Sequence, residues 1–314
     1  MLRWLRRLLA AWFIWRLFGP EVPPTFDGPQ EAPMRLPGRS VFIGDQEMFF
    51  RETGDPDGQP LVLIHGWGDH SAVVWQRIIP SLDQKHRIIA LDNRNSGHSE
   101  LVRERFDVSR LADEVAQVMD ALGVDSAVVA GYSLGGMVAQ ELAHRHPHMV
   151  VKLILGGTAA QPAPRARERW GTRALFFLGR ALDRVSRVEL SRIRYHYLRR
   201  VGALQPRHQR WMWAHQMSRD PDLYWLSGFA ALSFDSTRWI GRLDQPSLVI
   251  ITAHDQLVPV AAQYRLAALI PDAKVVELDA RHEAPLTHHE EIARAINLFL
   301  RDRPDLRVVA DQVG

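Results

Sequence analysis

AVVAGYSLGG, residues 127–136, is the stretch on which the fold turns: an apolar β-rich run, Ala127 to Ala130, leads directly into Ser133, and a helix pattern from Met137 to His146 follows. A serine held on a strand-to-helix turn that tight leaves no room for bulk two positions before it or two after it, and Gly131 and Gly135 stand there. Gly136 lets the helix pack close. The G-x-S-x-G pattern alone is a modest signal, but its strand-turn-helix setting is specific. It predicts a serine whose hydroxyl is presented at the carboxyl end of a buried strand.

A serine hydroxyl is a weak nucleophile near neutral pH, so it needs an adjacent base and a third group to orient that base. Downstream, Asp255 follows the strand pattern SLVIITAH, and His282 follows KVVELDA. Their separation of 27 positions accommodates one helix, Ala261 to Leu269, and one strand. The order Ser, Asp, His is the one this type of elbow requires. His144, His146 and His148 fall at a helix exit, and His288 and His289 at a helix entry. His70 and His98 sit on loops but outside this order. Asp279 and Glu283 flank His282 too closely to orient it.

Acyl transfer through a tetrahedral oxyanion needs two fixed N–H donors, each lowering the barrier by roughly 2.7 to 4 kcal/mol. Leu134, next after the serine, is the first candidate. The second is Trp67 in His65-Gly66-Trp67-Gly68, which follows the apolar run LVLIH and whose Gly66 permits a close backbone approach.

The same grammar repeats along the chain. Val41 to Ile43 and Glu47 to Glu52 flank Gly44-Asp45 as a hairpin would. LVLIH, HRIIALD, SAVVAGYS, VKLILGG, SLVIITAHD and AKVVELDA are short β-rich runs, separated mostly by amphipathic helix-length segments. Such alternation implies a parallel sheet with helices on both faces, and reactive groups gather beyond the carboxyl ends of its strands. One interval breaks the rhythm: residues 159–245 show helical stretches and many aromatics but no strand pattern, and read as a helical cap inserted into a core formed by 40–158 and 246–303. Residues 304–314 remain as a tail. Upstream, residues 19–39 carry six prolines from Pro20 to Pro37 and read as an extended linker.

Composition sets further bounds. The 314 residues include no cysteine, which excludes disulfides, thiolate metal sites and cysteine nucleophiles. No histidine-carboxylate cluster has metal-ligand spacing and no glycine-rich dinucleotide or phosphate loop is present, so neither metal nor cofactor is expected. The net charge is only +3, but arginine is unevenly placed: residues 161–210 hold 13 arginines and no lysine against three acids. Residues 1–18, MLRWLRRLLAAWFIWRLF, add four more and three tryptophans around an unbroken apolar stretch of eight residues, Leu8 to Trp15. A bilayer span needs about 20 apolar residues, so this segment reads as an amphipathic interfacial helix. A secretory signal lacking a small-residue cleavage site, or a helix packed on its own protein, are the competing readings. The basic cap and residues 1–18 together favour an anionic membrane surface. A solvated helix face is the alternative, and no motif for nucleic acid accompanies the charge. The expected location is cytoplasmic or peripheral to a membrane.

Taken as a set, HGWG, DNRNSGHS, GYSLGG, HDQLVP and RHEAPL resemble the α/β-hydrolase family in content and order, over Ser40 to about Arg301. The resemblance implies an eight-stranded, mostly parallel sheet with the cap over the active site. A departure stands at Asn95, where the family commonly has glycine, and an altered loop is expected over Asp92 to Ser99. Serine as nucleophile separates the chain from dehalogenase and epoxide-hydrolase relatives, which use aspartate there. Residues 222–250 are also similar to intracellular medium-chain polyhydroxyalkanoate depolymerases and lipase-like relatives. The expectation is a serine hydrolase acting on a small hydrophobic carboxylic ester through Ser133, Asp255 and His282. Carbon-carbon, thioester or polyhydroxyalkanoate hydrolysis on the same residues is the enzymatic alternative, and a non-catalytic ligand-binding homologue the alternative of another class.

Overall fold

The computed structural model describes residues 24–26, 28–32, 36–163 and 165–301. The expected helix over residues 1–18 and the tail over 304–314 lie outside the described residues. Eight strands form one sheet: β1 Gly38–Ile43, β2 Gln46–Gly54, β3 Pro60–Ile64, β4 Arg87–Leu91, β5 Ala127–Tyr132, β6 Val150–Gly156, β7 Ser247–Thr252 and β8 Lys274–Leu278. Their spatial order is β1-β2-β4-β3-β5-β6-β7-β8. β1 and β2 are antiparallel, as is β2 against β4, and every later pair is parallel.

The apolar runs explain this division. β5 and β7 are buried at every position because helices cover both faces of the parallel part, whereas β1 at the edge buries only Ile43 among its six residues. The helices are α1 Ser71–Val74, α2 Val108–Ala121, α3 Leu134–Arg145, α4 Ala166–Val185, α5 Arg187–Arg200, α6 Gln209–Ser218, α7 Pro221–Ser233, α8 Val260–Leu269, α9 Ala284–Thr287 and α10 His289–Leu300. One apolar cluster joins α2 and α3 to the sheet, through residues such as Val115, Met119, Val138 and Leu142 against Val62 and Val129. A second packs α10 against the opposite face, with Ile292, Ile296 and Phe299 near Leu63 and Ile250. Helices α4 to α7 all fall between β6 and β7, where no strand pattern was found.

Part of the proline-rich stretch is not a free tether. Glu31 N–H donates to Arg207 O at 2.9 Å, Arg210 N–H donates to Gln30 Oε1 at 2.9 Å, and Phe26 meets Tyr195 edge-on at 6.2 Å. Extended backbone keeps its polar groups available: Glu31 N–H bonds to the turn before α6, and the Gln30 side chain accepts from the first turn of α6 itself. The ordered sheet also starts at Gly38, two residues earlier than Ser40, because β1 pairs with β2 as far as Gly38 opposite Arg51.

Candidate active site

Ser133 stands between β5 and α3 with φ 57° and ψ −120°, a backbone conformation that L-residues rarely adopt. Its N–H bonds Gly156 O at 2.9 Å, tying the turn to the neighbouring strand. Gly131 and Gly135 make the turn possible: a Cβ on Gly131 would lie 2.1 Å from Gly135 O, and one on Gly135 would lie 2.2 Å from Ile64 O. Beyond the carboxyl ends of β7 and β8, two loops deliver the other side chains. His282 Nε2 is 3.0 Å from Ser133 Oγ, and His282 Nδ1 is 2.7 Å from Asp255 Oδ2. The three residues taken from distant parts of the sequence are thus in one hydrogen-bonded row.

Asp255 is held from several sides. Its Oδ1 accepts the N–H groups of Leu257 and Val258 at 2.8 Å each, and its Oδ2 also accepts from Thr252 Oγ1 at 2.7 Å and Gln263 Nε2 at 3.1 Å. Burial pushes this carboxyl up, but the bond and charge of His282, the Val258 amide and the Thr252 hydroxyl outweigh it and hold it below its ordinary value. The carboxylate form is therefore the one presented to the imidazole. On the other side of the ring, Tyr132 donates its hydroxyl to His282 O at 2.9 Å, which anchors the histidine loop to β5. Thr252, Gln263 and Tyr132 were not singled out from the sequence. Only their polarity on otherwise buried elements could have marked them.

The HGWG loop lies beside the serine. A Cβ on Gly66 would fall 3.1 Å from Ser133 Cβ, so bare backbone faces the hydroxyl there. His65 shapes this loop rather than taking part in the row: its Nε2 accepts from Asn93 N–H at 2.9 Å, which leaves Nδ1 as the donor to Gly66 O at 2.8 Å. Trp67 donates its indole N–H to Tyr224 O at 2.6 Å, and its ring lies 4.7 Å from Tyr224, 5.0 Å from Phe176 and 5.6 Å from Trp225. Leu134 opens α3, where the first N–H groups have no intrahelical partner.

Two contacts join the helices between β6 and β7 to these loops. Arg194 on α5 donates to Asp69 Oδ1 at 2.6 Å and to Gly68 O at 3.3 Å, while Tyr197 on the same helix donates to Glu283 Oε2 at 3.1 Å. Neither partnership was legible in the sequence, since each spans more than 80 residues.

The Asp92 to Ser99 loop carries the departure at Asn95. That residue takes φ 62°, a region that glycine enters without cost and asparagine better than most. Its side chain closes a two-way bridge, with Oδ1 accepting Val102 N–H at 2.6 Å and Nδ2 donating to Val102 O at 3.1 Å. Asp92 is buried and accepts from Ser71 N–H at 2.9 Å and from His98 N–H at 3.1 Å. Its partners belong to the scaffold and include none of Ser133, Asp255 and His282.

His70, next to this carboxylate, is buried and caps α1 by accepting Ala72 N–H through Nδ1 at 3.3 Å. Burial, then the charges of His215, His65 and Arg51, push its imidazole down to about 3, with Asp92 opposing them. The unfolded chain, with His70 at its ordinary value, therefore binds a proton between about pH 6.5 and 3 that the folded chain does not. Stability from this residue is complete above that window and is lost as the pH falls through it. His70→Asn keeps an N-cap acceptor without the titration. Its unfolding free energy is expected to fall less than the parent's between pH 7 and 5, by roughly 2 kcal/mol. Parallel denaturant-unfolding curves for the two proteins over that range would refute the assignment.

Among the described residues, no group of three or more His, Asp or Glu side chains gathers in a way that could hold a metal ion. The geometry is that of a serine hydroxyl hydrogen-bonded to an imidazole that is itself held by a buried carboxylate. The family profile described as alpha/beta hydrolase fold matches residues 59–289. A poly(3-hydroxyalkanoate) depolymerase of Ectopseudomonas oleovorans is 28% identical over 79% of this chain and 86% of its own length. A 2-hydroxymuconate semialdehyde hydrolase of a Pseudomonas species is 29% identical over 86% of this chain and 97% of its own length. Among solved structures, a hydrolase from Pseudomonas aeruginosa superposes with a TM-score of 0.72 at 24% identity, over 84% of this chain and 98% of that one.

Proposed function

The chain belongs to the alpha/beta hydrolase fold family, and from that premise we propose that it is a serine hydrolase cleaving a hydrophobic carboxylic ester through an acyl-enzyme on Ser133. The observation that carries this reading is the pair of hydrogen bonds joining Asp255 to His282 at 2.7 Å and His282 to Ser133 at 3.0 Å. Ser133 Oγ attacks the ester carbonyl carbon while His282 Nε2 takes its proton. The oxyanion that forms is held by the Leu134 and Trp67 N–H groups. As the carbon-oxygen bond to the alcohol breaks, His282 returns the proton to the leaving oxygen. Water then attacks the acyl group by the same route, releasing the acid and restoring the serine. Asp255, kept ionised, fixes the imidazole tautomer and balances the charge that the ring acquires.

The helices of residues 159–245 act as a cap, and the aromatic group of Trp67, Phe176, Tyr224 and Trp225 favours an apolar acyl chain over a small polar one. Polyhydroxyalkanoate, thioester or carbon-carbon cleavage would use the same residues with another leaving group. The name of the depolymerase relative favours the first of these three.

A fluorophosphonate probe is expected to label Ser133 and abolish turnover in proportion. Medium-chain p-nitrophenyl esters are expected to exceed the acetate in kcat/KM, since each methylene placed in an apolar site contributes about 0.8 kcal/mol. Absence of both labelling and turnover would favour the ligand-binding homologue. Thioester or carbon-carbon substrates outpacing every ester would move the assignment to those bonds.

A further inference from the structure

Helix α4, Ala166–Val185, is amphipathic in the opposite sense to an ordinary surface helix. Trp170 is 72% exposed, Leu175 63%, Phe177 61%, Leu178 56% and Val185 47%. At 3.6 residues per turn, Trp170, Ala174, Phe177, Leu178, Ala181 and Val185 run down one side of the helix, with Leu175 at its border. That side is turned outward because the inner side is committed. Phe176 meets Trp67 and Trp225, Gly179 closes against the Trp225 ring, and the buried Asp183 accepts the Trp225 indole N–H at 3.1 Å. Nothing among the described residues covers the stripe.

Charge discriminates between possible occupants. Arg167, exposed, extends the stripe toward the start of the helix, and the exposed Arg173 borders it. The two acids of the helix do not answer them: Glu168 is paired with Arg165, and Asp183 is buried. A second copy placed face to face would bring this arginine-bordered stripe against its own like. An anionic lipid surface would instead receive the apolar side chains below its headgroups and the guanidiniums among them, with Trp170 at the boundary.

We propose that the outward face of α4 is a membrane-docking surface that settles into the headgroup layer of an anionic bilayer. The surface is distinct from the Ser133 row and does not depend on the hydrolase reading. It also locates the membrane signal differently from a count of arginines. Arg180 and Arg184 are engaged by Asp222, Arg194 by Asp69 and Arg207 by Glu31, so much of the basic charge of residues 161–210 is answered within the protein. Among the described residues no helix is long and apolar enough to cross a membrane, and α4 would lie along the surface. Through Phe176 and Trp67, docking would bring the aromatic wall of the candidate site next to the lipid.

The chain has no cysteine, so Phe177→Cys in the full-length protein accepts one environment-sensitive fluorophore, with Asp57→Cys in the turn before β3 as the control. Adding phosphatidylcholine–phosphatidylglycerol vesicles is expected to shift the emission at position 177 to the blue and leave position 57 unchanged. Phosphatidylcholine alone should give a weaker shift, and added salt should reduce it. Ser133→Ala in the same background should show the same shift, which separates this result from any outcome on catalysis. Trp170→Ser with Leu178→Ser should lower vesicle partitioning at least about tenfold while a water-soluble ester is still turned over. A water-like signal at position 177 on vesicles that carry the protein would overturn the proposal. So would a blue shift without vesicles, whether it grows with protein concentration, which means a second copy, or vanishes on deleting residues 1–18, which means the arm lies on this face.

Discussion

Ser133→Ala is expected to lower ester turnover by about four orders of magnitude or more, while leaving the thermal midpoint nearly unchanged. The size follows from the roles proposed: without Oγ there is no acyl-enzyme, and His282 has no proton to take, so the residual rate is what oxyanion donors and binding alone can supply. Stability should hold because alanine keeps the Cβ that the φ 57° turn already tolerates, and the hydroxyl makes one side-chain bond, to His282. Asp255 retains its bond to the imidazole and its two backbone donors, so the base stays oriented. Substrate binding should persist, leaving the loss in kcat. An alanine variant turning over within tenfold of the parent would remove Ser133 from the chemistry.

Gly135→Ala should act in the other direction, on stability more than on any single step. The added methyl would sit 2.2 Å from Ile64 O and 2.7 Å from His65 O, both backbone atoms of the strand end and loop beside the serine. Ile64 pairs with Leu91 on one side and Gly131 on the other, so it cannot retreat without disturbing the middle of the sheet. The expected cost is roughly 3 kcal/mol or more, read as a lower denaturant midpoint. Gly136→Ala gives a partial contrast: its methyl meets Thr158 Cγ2 at 2.5 Å and Cβ at 2.7 Å, so Thr158 must shift with its backbone. That residue lies beyond the end of β6, and its movement leaves the middle of the sheet in register, so a smaller loss is expected. Equal losses in the two variants would show that the elbow tolerates displacement of β3.

These two glycines differ in a way that their local pattern does not reveal. Both follow the serine in an unremarkable G-G pair, and the sequence marks the first only through the demand for little bulk two positions on. What each faces depends on β3 and β6, brought in from about 70 residues upstream and about 20 downstream. The same limit applies to Asp255, whose place after an apolar run was legible. Its supporting Thr252 and Gln263 were not, because a buried polar residue on an apolar element looks in sequence like any half-exposed one. In residues 159–245 the sequence shows many aromatics without showing which way each one points. Trp225 and Phe176 do turn inward, but Trp170 and Phe177 face solvent, and composition cannot tell the two sides of a helix apart once both carry apolar residues.

By itself the sequence determined the alternation of strands and helices, the elbow and the order of its polar residues. Those are local properties, set by backbone sterics and side-chain periodicity over a few residues. Only the tertiary structure decided which carboxyl bonds His282, which arginines are answered within the protein, and which face of α4 is left outside. Each of these depends on what lies opposite in space, and chain folding places partners there from tens to well over a hundred residues away.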